Sequence, residues 1–153
     1  MTHLKLTYFD FDGGRGEPIR LACSIGNIDF EDYRFPLSEF ANIAPTTPLR
    51  QVPTLEIDGK VITQTNAILR YVGKQGGLYP EDSLQALYCD EVLDVVEDIL
   101  AKVVVTMFMQ DEDEKRKARE TLAAGPISLY LKRFGVMLQE RGGNWFADDR
   151  LTI

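Results

Sequence analysis

Alternating apolar and polar positions predict short strands in the first half of the chain. Residues 4–9 (LKLTYF) alternate with a period of two, as a half-buried strand does. Residues 54–57 (TLEI) repeat the alternation, and residues 60–63 (KVIT) bring the chain back. Asp58-Gly59 stands between them and is a dipeptide that accepts the positive φ angles of a tight turn. The pattern therefore predicts one strand followed later by a hairpin.

Apolar residues recur at spacings of three and four in the second half, which predicts amphipathic helices. The first is a long helix, and by default we expect its apolar residues to lie in the core. They are Leu84, Leu87, Tyr88, Val92, Val95, Val96, Ile99, Leu100, Val103, Val104, Met107 and Phe108. A later helix carries Ile127, Tyr130, Leu131, Phe134, Met137 and Leu138 on one side. Gly125-Pro126 predicts a kink or a restart before it, because proline interrupts helical hydrogen bonding.

The segment around Pro53 predicts a place where an extended ligand can pair with the main chain. Proline donates no hydrogen bond to a sheet, so Pro53 must open a strand or lie at its edge. A cis bond between Val52 and Pro53 would turn the Val52 N–H and C=O outward. Gln64 and Thr65 then open a helix, whose first-turn N–H groups and dipole favour a carboxylate. The open alternative is that Thr65 merely caps its own helix.

Composition narrows the classes of function. The chain has 153 residues, is 44% hydrophobic and carries a net charge of −7 with a sequence pI near 4.7. Nucleic-acid binding needs clustered Lys and Arg, and the one basic run, residues 115–119, directly follows four acidic residues in what we interpret as a solvated helix. No apolar run is long enough to cross a membrane, and no secretory signal segment opens the chain. We therefore expect a cytoplasmic protein.

The cysteines and the histidine do not form a recognisable chemical motif. Cys23 falls within a predicted helix among apolar residues and is expected to be a buried, inert thiol, and Cys89 shares no motif with it. His3 has no Asp, Glu or Cys neighbour in the sequence and is expected at the surface. No metal site is predicted.

The N-terminal segment places a tyrosine where a strand meets a flexible loop. Tyr8 lies near the end of the first strand, the glycine-rich residues 12–16 follow, and Pro18 lies in the first turn of the next helix. Together with Arg-x-Glu, V-P-x-L-x-x-D-G and Q-T-x-A-I in that order, this arrangement resembles the N-terminal domain of glutathione transferases. The resemblance is strongest to the sigma class, which includes glutathione-dependent prostaglandin D synthases and S-crystallins, and it runs from about Leu4 through Ile153.

The resemblance implies a fold and a domain organisation. The expected fold is an α/β thioredoxin-like N-terminal domain (βαβαββα, mixed sheet) followed by an all-α C-terminal domain that is incomplete here. We expect the first domain over residues 1–75, a linker over residues 76–80, and a partial helical domain over residues 81–153. The C-terminal segment resembles the lead into a buried helix of the family, so we expect a truncated product.

The resemblance also implies a site for glutathione. Tyr8 is the expected hydroxyl donor to the glutathione sulfur, and its alternative is an ordinary core aromatic residue. Arg15 matches the arginine that supports this tyrosine, although the loop before it is one residue longer than is usual. The other residues expected to bind glutathione are Phe40, Gln51, Val52, Pro53, Gln64 and Thr65.

Two positions of this site depart from the family pattern. Phe40 stands where many relatives have tryptophan, and Ala44 stands where a lysine is common. Both changes remove a donor to the glycine carboxylate of glutathione, so binding of that end is expected to be weaker. Arg34 or Arg50 could compensate.

Residues of the long helix complete the expected site. Asp98 matches the aspartate that contacts the γ-glutamyl amine of glutathione bound in a partner subunit, which implies a two-fold homodimer. The open alternative is that this acidic stretch is only a solvated face. A hydrophobic electrophile would contact Phe11, Gly14, Leu100 and Val105.

Three functions follow. The first is a glutathione transferase of the detoxification type, which conjugates hydrophobic electrophiles or isomerises a peroxide such as prostaglandin H2, with glutathione as co-substrate. The second is a non-catalytic, S-crystallin-like structural or glutathione-binding protein. The third is an inactive truncated fragment.

Overall fold

The N-terminal half of the chain forms a four-stranded mixed sheet with helices. A computed structural model describes residues 2–153. Strand order is β2-β1-β3-β4, with β1 parallel to β2 and antiparallel to β3, and β3 antiparallel to β4. The elements are β1 (Leu4–Phe9), α1 (Glu17–Ile25), β2 (Glu31–Phe35), α2 (Phe40–Ile43), β3 (Thr54–Ile57), β4 (Lys60–Thr63) and α3 (Thr65–Gln75). Short 3₁₀ turns flank α2 at Leu37–Glu39 and Ala44–Thr46.

The predicted strand and hairpin are both present. On β1, Leu4, Leu6 and Tyr8 are buried and the residues between them are half-buried. Leu6 lies opposite Leu55 of β3, which in turn lies opposite Ile62 of β4. Both turn residues of the hairpin have positive φ, 47° at Asp58 and 82° at Gly59.

The helices α1 and α3 approach closely at their C-terminal ends because a glycine follows the last residue of each. A Cβ on Gly26 would lie 2.8 Å from the Gly76 Cα, and the reverse distance is also 2.8 Å. Neither contact leaves room for a side chain. Ile68, Val72 and Cys23 supply fully buried side chains on these two helices.

The C-terminal half is helical, with α4 (Ser83–Met107), α5 (Glu112–Leu122) and α6 (Ser128–Glu140). A π-helical segment, Ala123–Ile127, joins α5 to α6, and Gly125 within it has non-helical angles (φ −101°, ψ −106°), so the predicted kink is confirmed. The Asp82 carboxylate caps α4 by accepting from the Leu84 and Gln85 amides at 3.0 Å. Within the described residues, no helix has the length and apolar character needed to cross a membrane.

The prediction that the periodic apolar residues of the long helix lie in the core is wrong for some of them. Cys89 and Leu93 of α4 are buried. In contrast, several residues that the periodicity assigned to the core are exposed: Leu84, Leu87, Val96, Met107, Phe108 and, on α6, Leu131. Periodicity identifies the face of a helix that can be covered, whereas burial requires a neighbouring element on that face.

Arg141, the residue after α6, links the end of that helix to α4. Its guanidinium lies 4.0 Å from the centroid of the Tyr88 ring, donates to the Tyr88 and Phe146 carbonyls, and pairs with Glu91. All of these residues belong to one of the two compact units into which the chain divides. The N-terminal unit comprises the residues up to Tyr79 together with Ile153, and the C-terminal unit is Pro80–Thr152.

Candidate active site

Tyr8 is a buried phenol whose oxygen is already an acceptor. It lies near the end of β1, with only 5% of its surface exposed. The Arg15 backbone N–H donates to Tyr8 Oη at 3.0 Å. A phenol oxygen that accepts this bond retains its own hydrogen for donation to a second group. Tyr8 can therefore present an oriented O–H donor to a ligand.

The loop of residues 10–16, called the glycine loop below, encloses the Tyr8 ring with main chain. A Cβ added to Gly16 would lie 2.2 Å from Tyr8 Cδ1, and one added to Gly14 would lie 2.5 Å from Tyr8 Oη. Gly13 and Gly14 both have positive φ, 103° and 63°. Side chains at positions 14 and 16 would therefore occupy the space of the tyrosine.

Arg15 contacts Tyr8 through its backbone. The sequence predicted support from the positively charged side chain of Arg15, and this side-chain role stays a prediction. The hydrogen bond that the structure contains comes from the amide, which any non-proline residue supplies. The longer loop thus still reaches the tyrosine.

Sequence reasoning missed Arg20 of α1, whose side chain is only 6% exposed. It donates to both carboxylate oxygens of Asp32 at 3.0 and 3.1 Å, to Glu17 at 3.2 Å, and to the carbonyls of Phe9 and Phe11 at 3.1 and 3.2 Å. Its guanidinium carbon lies 5.7 Å from the Tyr8 ring centroid. The available signal was a lone charge on the otherwise apolar face of α1.

Aromatic rings cluster around Phe9, the residue after Tyr8. Phe11 stacks on Phe9 with centroids 5.9 Å apart, and Phe35 and Phe40 tilt against it at 5.1 and 5.3 Å. Phe40 thus has a packing partner in the sheet. Phe11 is 41% exposed and presents an apolar ring beside Tyr8, with their centroids 5.7 Å apart.

The segment before β3 has the predicted backbone. The Val52-Pro53 bond is cis. Pro53 is buried, Val52 is half-buried and Gln51 is exposed, and the Gln51 amide donates to the Thr47 hydroxyl at 3.0 Å. The Thr47 hydroxyl in turn donates a hydrogen bond to the Ala44 carbonyl at 2.9 Å.

Gln64 and Thr65 lie at the start of α3. Gln64 occupies the cap position with left-handed φ (75°) and makes no side-chain cap hydrogen bond. Thr65 is the first helical residue and is buried. The cap position belongs to Gln64, so the alternative in which Thr65 serves as the cap is wrong.

The remaining predicted residues belong to both compact units. Gly14 lies against Tyr8, whereas Asp98, Leu100 and Val105 lie on α4 in the C-terminal unit, where Asp98 and Val105 are exposed. Arg34, considered as a compensating cation, is engaged with Asp32 at 2.7 Å, and this hydrogen bond is the main cause that raises its pKa.

Cys23 is an inert thiol, as predicted. It is fully buried, and desolvation, reinforced by the nearby Asp32 carboxylate, raises its pKa to about 11. The thiolate is the nucleophilic form, so Cys23 is not a candidate nucleophile near neutral pH. His3 is exposed as expected, and its Nε2 lies 3.7 Å from a Glu31 carboxylate oxygen, a neighbour that the local sequence does not reveal.

Two family models match the chain. The glutathione S-transferase N-terminal domain matches residues 4–74, and the glutathione S-transferase C-terminal domain matches residues 97–153. The chain belongs to the glutathione S-transferase family. Its predicted family and fold class are confirmed.

Relatives with this family name support the assignment of transferase activity. The chain is 35% identical over 144 residues to a glutathione S-transferase of Anopheles gambiae, covering 94% of this chain and 70% of the relative. It is 30% identical over 152 residues to the hematopoietic prostaglandin D synthase of Gallus gallus, covering 99% and 74%. Glutathione is the co-substrate of the glutathione S-transferase family to which the chain belongs.

Solved structures agree on the fold. The prostaglandin synthase D of Nilaparvata lugens superposes with a TM-score of 0.89 at 37% identity, covering 98% of this chain and 74% of that one. A sigma class glutathione S-transferase of Fasciola hepatica superposes with a TM-score of 0.85 at 29% identity, covering 99% and 73%. These similarities place the transferase beside sigma-class enzymes.

Proposed function

We propose that Tyr8 is the residue that activates glutathione, by donating its phenolic hydrogen to the cysteinyl sulfur. The observation that carries the proposal is the hydrogen bond from the Arg15 amide to Tyr8 Oη, because it orients the phenol and leaves its hydrogen for a ligand. Burial of the ring supports the same role, since a fixed donor loses little freedom when the ligand arrives.

Selective stabilisation of the thiolate is what the reaction requires. A cysteine thiol has a pKa near 8.5, so only a few per cent is ionised at neutral pH. Each unit by which that pKa falls needs about 1.4 kcal/mol of differential interaction, and a hydrogen bond to a charged group supplies about 1.5–3 kcal/mol. One phenol donor is thus sufficient to make the thiolate a major species.

The proposed reaction is nucleophilic substitution. The thiolate lone pair forms a carbon–sulfur bond to the electrophile, and the leaving group departs with its bonding electrons. The isomerisation of a peroxide is a related use of the same thiolate, and the two relatives named as prostaglandin synthases support it as a second substrate class.

Main-chain and polar groups of residues 51–53 and 64–65 are the proposed ligands of the peptide. Val52 pairs its backbone with the cysteinyl unit beside Pro53, with Gln51 adjacent. Gln64 and Thr65 bind the γ-glutamyl carboxylate at the start of α3, where the first-turn N–H groups and the helix dipole favour an anion. Phe40 packs on Phe9 and offers the glycine carboxylate no hydrogen-bond donor.

The wider assembly is also a proposal. Asp98, exposed on α4, would reach the γ-glutamyl amine of glutathione bound by a second copy in a homodimer. Phe11 and Gly14 lie beside Tyr8 and are the proposed contacts of the electrophile, and the contribution of Leu100 and Val105 stays a prediction. Cytoplasmic localisation likewise stays a prediction.

The deciding experiment is an ultraviolet difference titration of bound glutathione against pH, in wild type and in Tyr8→Phe. We expect a thiolate band in wild type with an apparent pKa well below that of free glutathione. In Tyr8→Phe, loss of the donor should raise that pKa by one to two units, from about 1.5–3 kcal/mol. Tyr33→Phe is the matched control, because it also removes one phenolic hydroxyl from the sheet but does so on β2.

Two results contradict the proposal in different ways. A thiolate pKa that is the same in wild type and Tyr8→Phe assigns activation to another group. No thiolate band in wild type, with glutathione bound, favours the non-catalytic relative instead.

A further inference from the structure

Arg20 is a buried cation whose hydrogen bonds link α1 and β2 to the residues that follow Tyr8. The guanidinium joins three parts of the chain: α1 through Glu17, β2 through Asp32, and the end of β1 with the loop after it through the carbonyls of Phe9 and Phe11. Phe9 follows the tyrosine directly, and Phe11 belongs to the glycine loop. A charge taken out of water is retained only where such partners compensate its desolvation.

We propose that Arg20 is a positioning residue for thiol activation: it fixes the first turn of the glycine loop so that the Arg15 amide meets Tyr8 Oη. The inference rests on the proposed role of Tyr8. The two bonds to the Phe9 and Phe11 carbonyls hold the loop where it leaves β1. From that anchor the chain runs over residues 12–14 to Arg15, whose amide lies 3.0 Å from the phenol oxygen.

The role depends on the fork shape of the guanidinium more than on its charge. The Nε–H of Arg20 is shared by the two carboxylate oxygens of Asp32. Nη1 donates to the Phe11 carbonyl and the Glu17 carboxylate, and Nη2 donates to the Phe9 carbonyl. Lysine has three donors on one nitrogen and cannot span acceptors on three segments in fixed geometry.

Charge neutralisation around Arg20 supports the same conclusion. Glu17 and Asp32 contribute two negative charges, and Arg34, which donates to Asp32 at 2.7 Å, contributes the second positive one. Arg34 also lies 3.8 and 3.5 Å from the exposed carboxylates of Asp10 and Asp12. The cluster therefore carries no net positive charge that would stabilise a thiolate at Tyr8, and its effect must pass through the loop that it holds.

The test compares Arg20→Lys and Arg20→Met with wild type, and uses Val72→Ala as the control. Val72 is fully buried on α3, so its truncation lowers the melting temperature without removing a contact of the glycine loop. Asp32→Asn adds a variant that keeps Arg20 and weakens its anchor on β2. Two quantities are measured: hydrogen exchange of the Arg15 amide without ligand, and the apparent pKa of the bound glutathione thiol.

We expect the hydrogen of the Arg15 amide to exchange at least about tenfold faster in both Arg20 variants than in wild type. Exchange should also be faster than wild type in Asp32→Asn, whereas Val72→Ala should leave it unchanged. The thiol pKa should rise by about one unit in both Arg20 variants, which is about tenfold less thiolate at a fixed pH below it. kcat should fall by the same factor, whereas KM for glutathione changes less, because the peptide contacts lie elsewhere.

Three outcomes would overturn the inference. Unchanged Arg15 exchange in Arg20→Lys means that the loop does not depend on the fork. A thiol pKa that equals the wild-type value in Arg20→Lys but is raised in Arg20→Met assigns the effect to the positive charge. If Val72→Ala changes the Arg15 exchange and the thiol pKa as much as the Arg20 variants do, the effect comes from a general loss of stability.

The exchange measurement also separates this inference from the proposed function. It needs no glutathione and no activity, so it decides the positioning role of Arg20 even if wild type gives no thiolate band. If Arg20→Met does not fold, Arg20→Lys and Asp32→Asn still decide it, because both keep a polar side chain at the mutated position.

Discussion

Replacing Gly16 with alanine should displace the Tyr8 ring and reduce catalysis strongly. Gly16 is buried and has an ordinary φ of −83°, so an alanine would suffer no backbone strain there. Its methyl group would instead lie 2.2 Å from Tyr8 Cδ1 and 2.4 Å from Cγ. Carbon atoms need a separation of about 3.5 Å, so the ring must move by about 1.3 Å.

The size of the effect follows from this displacement. A misplacement of about 1 Å at a reacting group costs about 100-fold in rate, so kcat/KM for conjugation should fall about 100-fold. Overpacking should lower the free energy of unfolding by about 1–3 kcal/mol. The assay is steady-state conjugation of glutathione to a chromogenic aryl halide, combined with the thiolate titration and a thermal melt.

Gly135→Ala is the control for the same chemical change. Gly135 lies within α6, has no atom within 4 Å of an added Cβ and has no positive φ, so alanine should preserve activity and stabilise the helix slightly. Wild-type kcat/KM and thiol pKa in a folded Gly16→Ala protein would refute the reasoning, since the tyrosine would then tolerate a ring shift.

Three further predictions concern stability. Gly26→Ala should destabilise the fold by about 1–3 kcal/mol, measured by urea unfolding, because the added carbon would lie 2.8 Å from the Gly76 Cα; wild-type stability would mean that α1 and α3 separate easily. Burial raises the Cys23 pKa to about 11, so the folded state holds this proton more tightly than the unfolded state, and the free energy of unfolding should fall as pH rises from about 9 to 11. Cys23→Ala should lose this part of the pH dependence, and an unchanged slope would contradict the assignment. Asp82→Ala removes the acceptor of two first-turn amides of α4 and should cost about 1 kcal/mol in urea unfolding, whereas the neighbouring exposed Glu81→Ala should cost almost nothing; equal losses would show that the cap is not responsible.

Local sequence determined the elements and the positions of the turns. The alternation over residues 4–9 specifies β1, and Asp58-Gly59 specifies the hairpin, since both act through neighbours in the chain. Gly125 and Pro126 fix the break between α5 and α6 for the same reason. These features need no distant partner, so the pattern alone was sufficient to predict them.

Family resemblance, rather than pattern, identified Tyr8 as the candidate donor. A tyrosine at the end of an alternating strand is equally a core residue, and Tyr8 is in fact buried with Leu4 and Leu6. Its oxygen becomes distinctive only through the Arg15 amide, seven residues away along a glycine loop. The shape of that loop, with positive φ at Gly13 and Gly14, was not fixed by composition.

The tertiary structure alone decided which charges and apolar faces are covered. Arg20 could have lain at the surface of α1, but β2 brings Asp32 to it and the β1–α1 connection brings two carbonyls. The stripe on α4 shows the converse, because Leu87 and Val96 have helical periodicity and remain exposed. Periodicity and turn chemistry are properties of neighbouring residues, whereas burial and ion pairing depend on segments that meet only when the chain is folded.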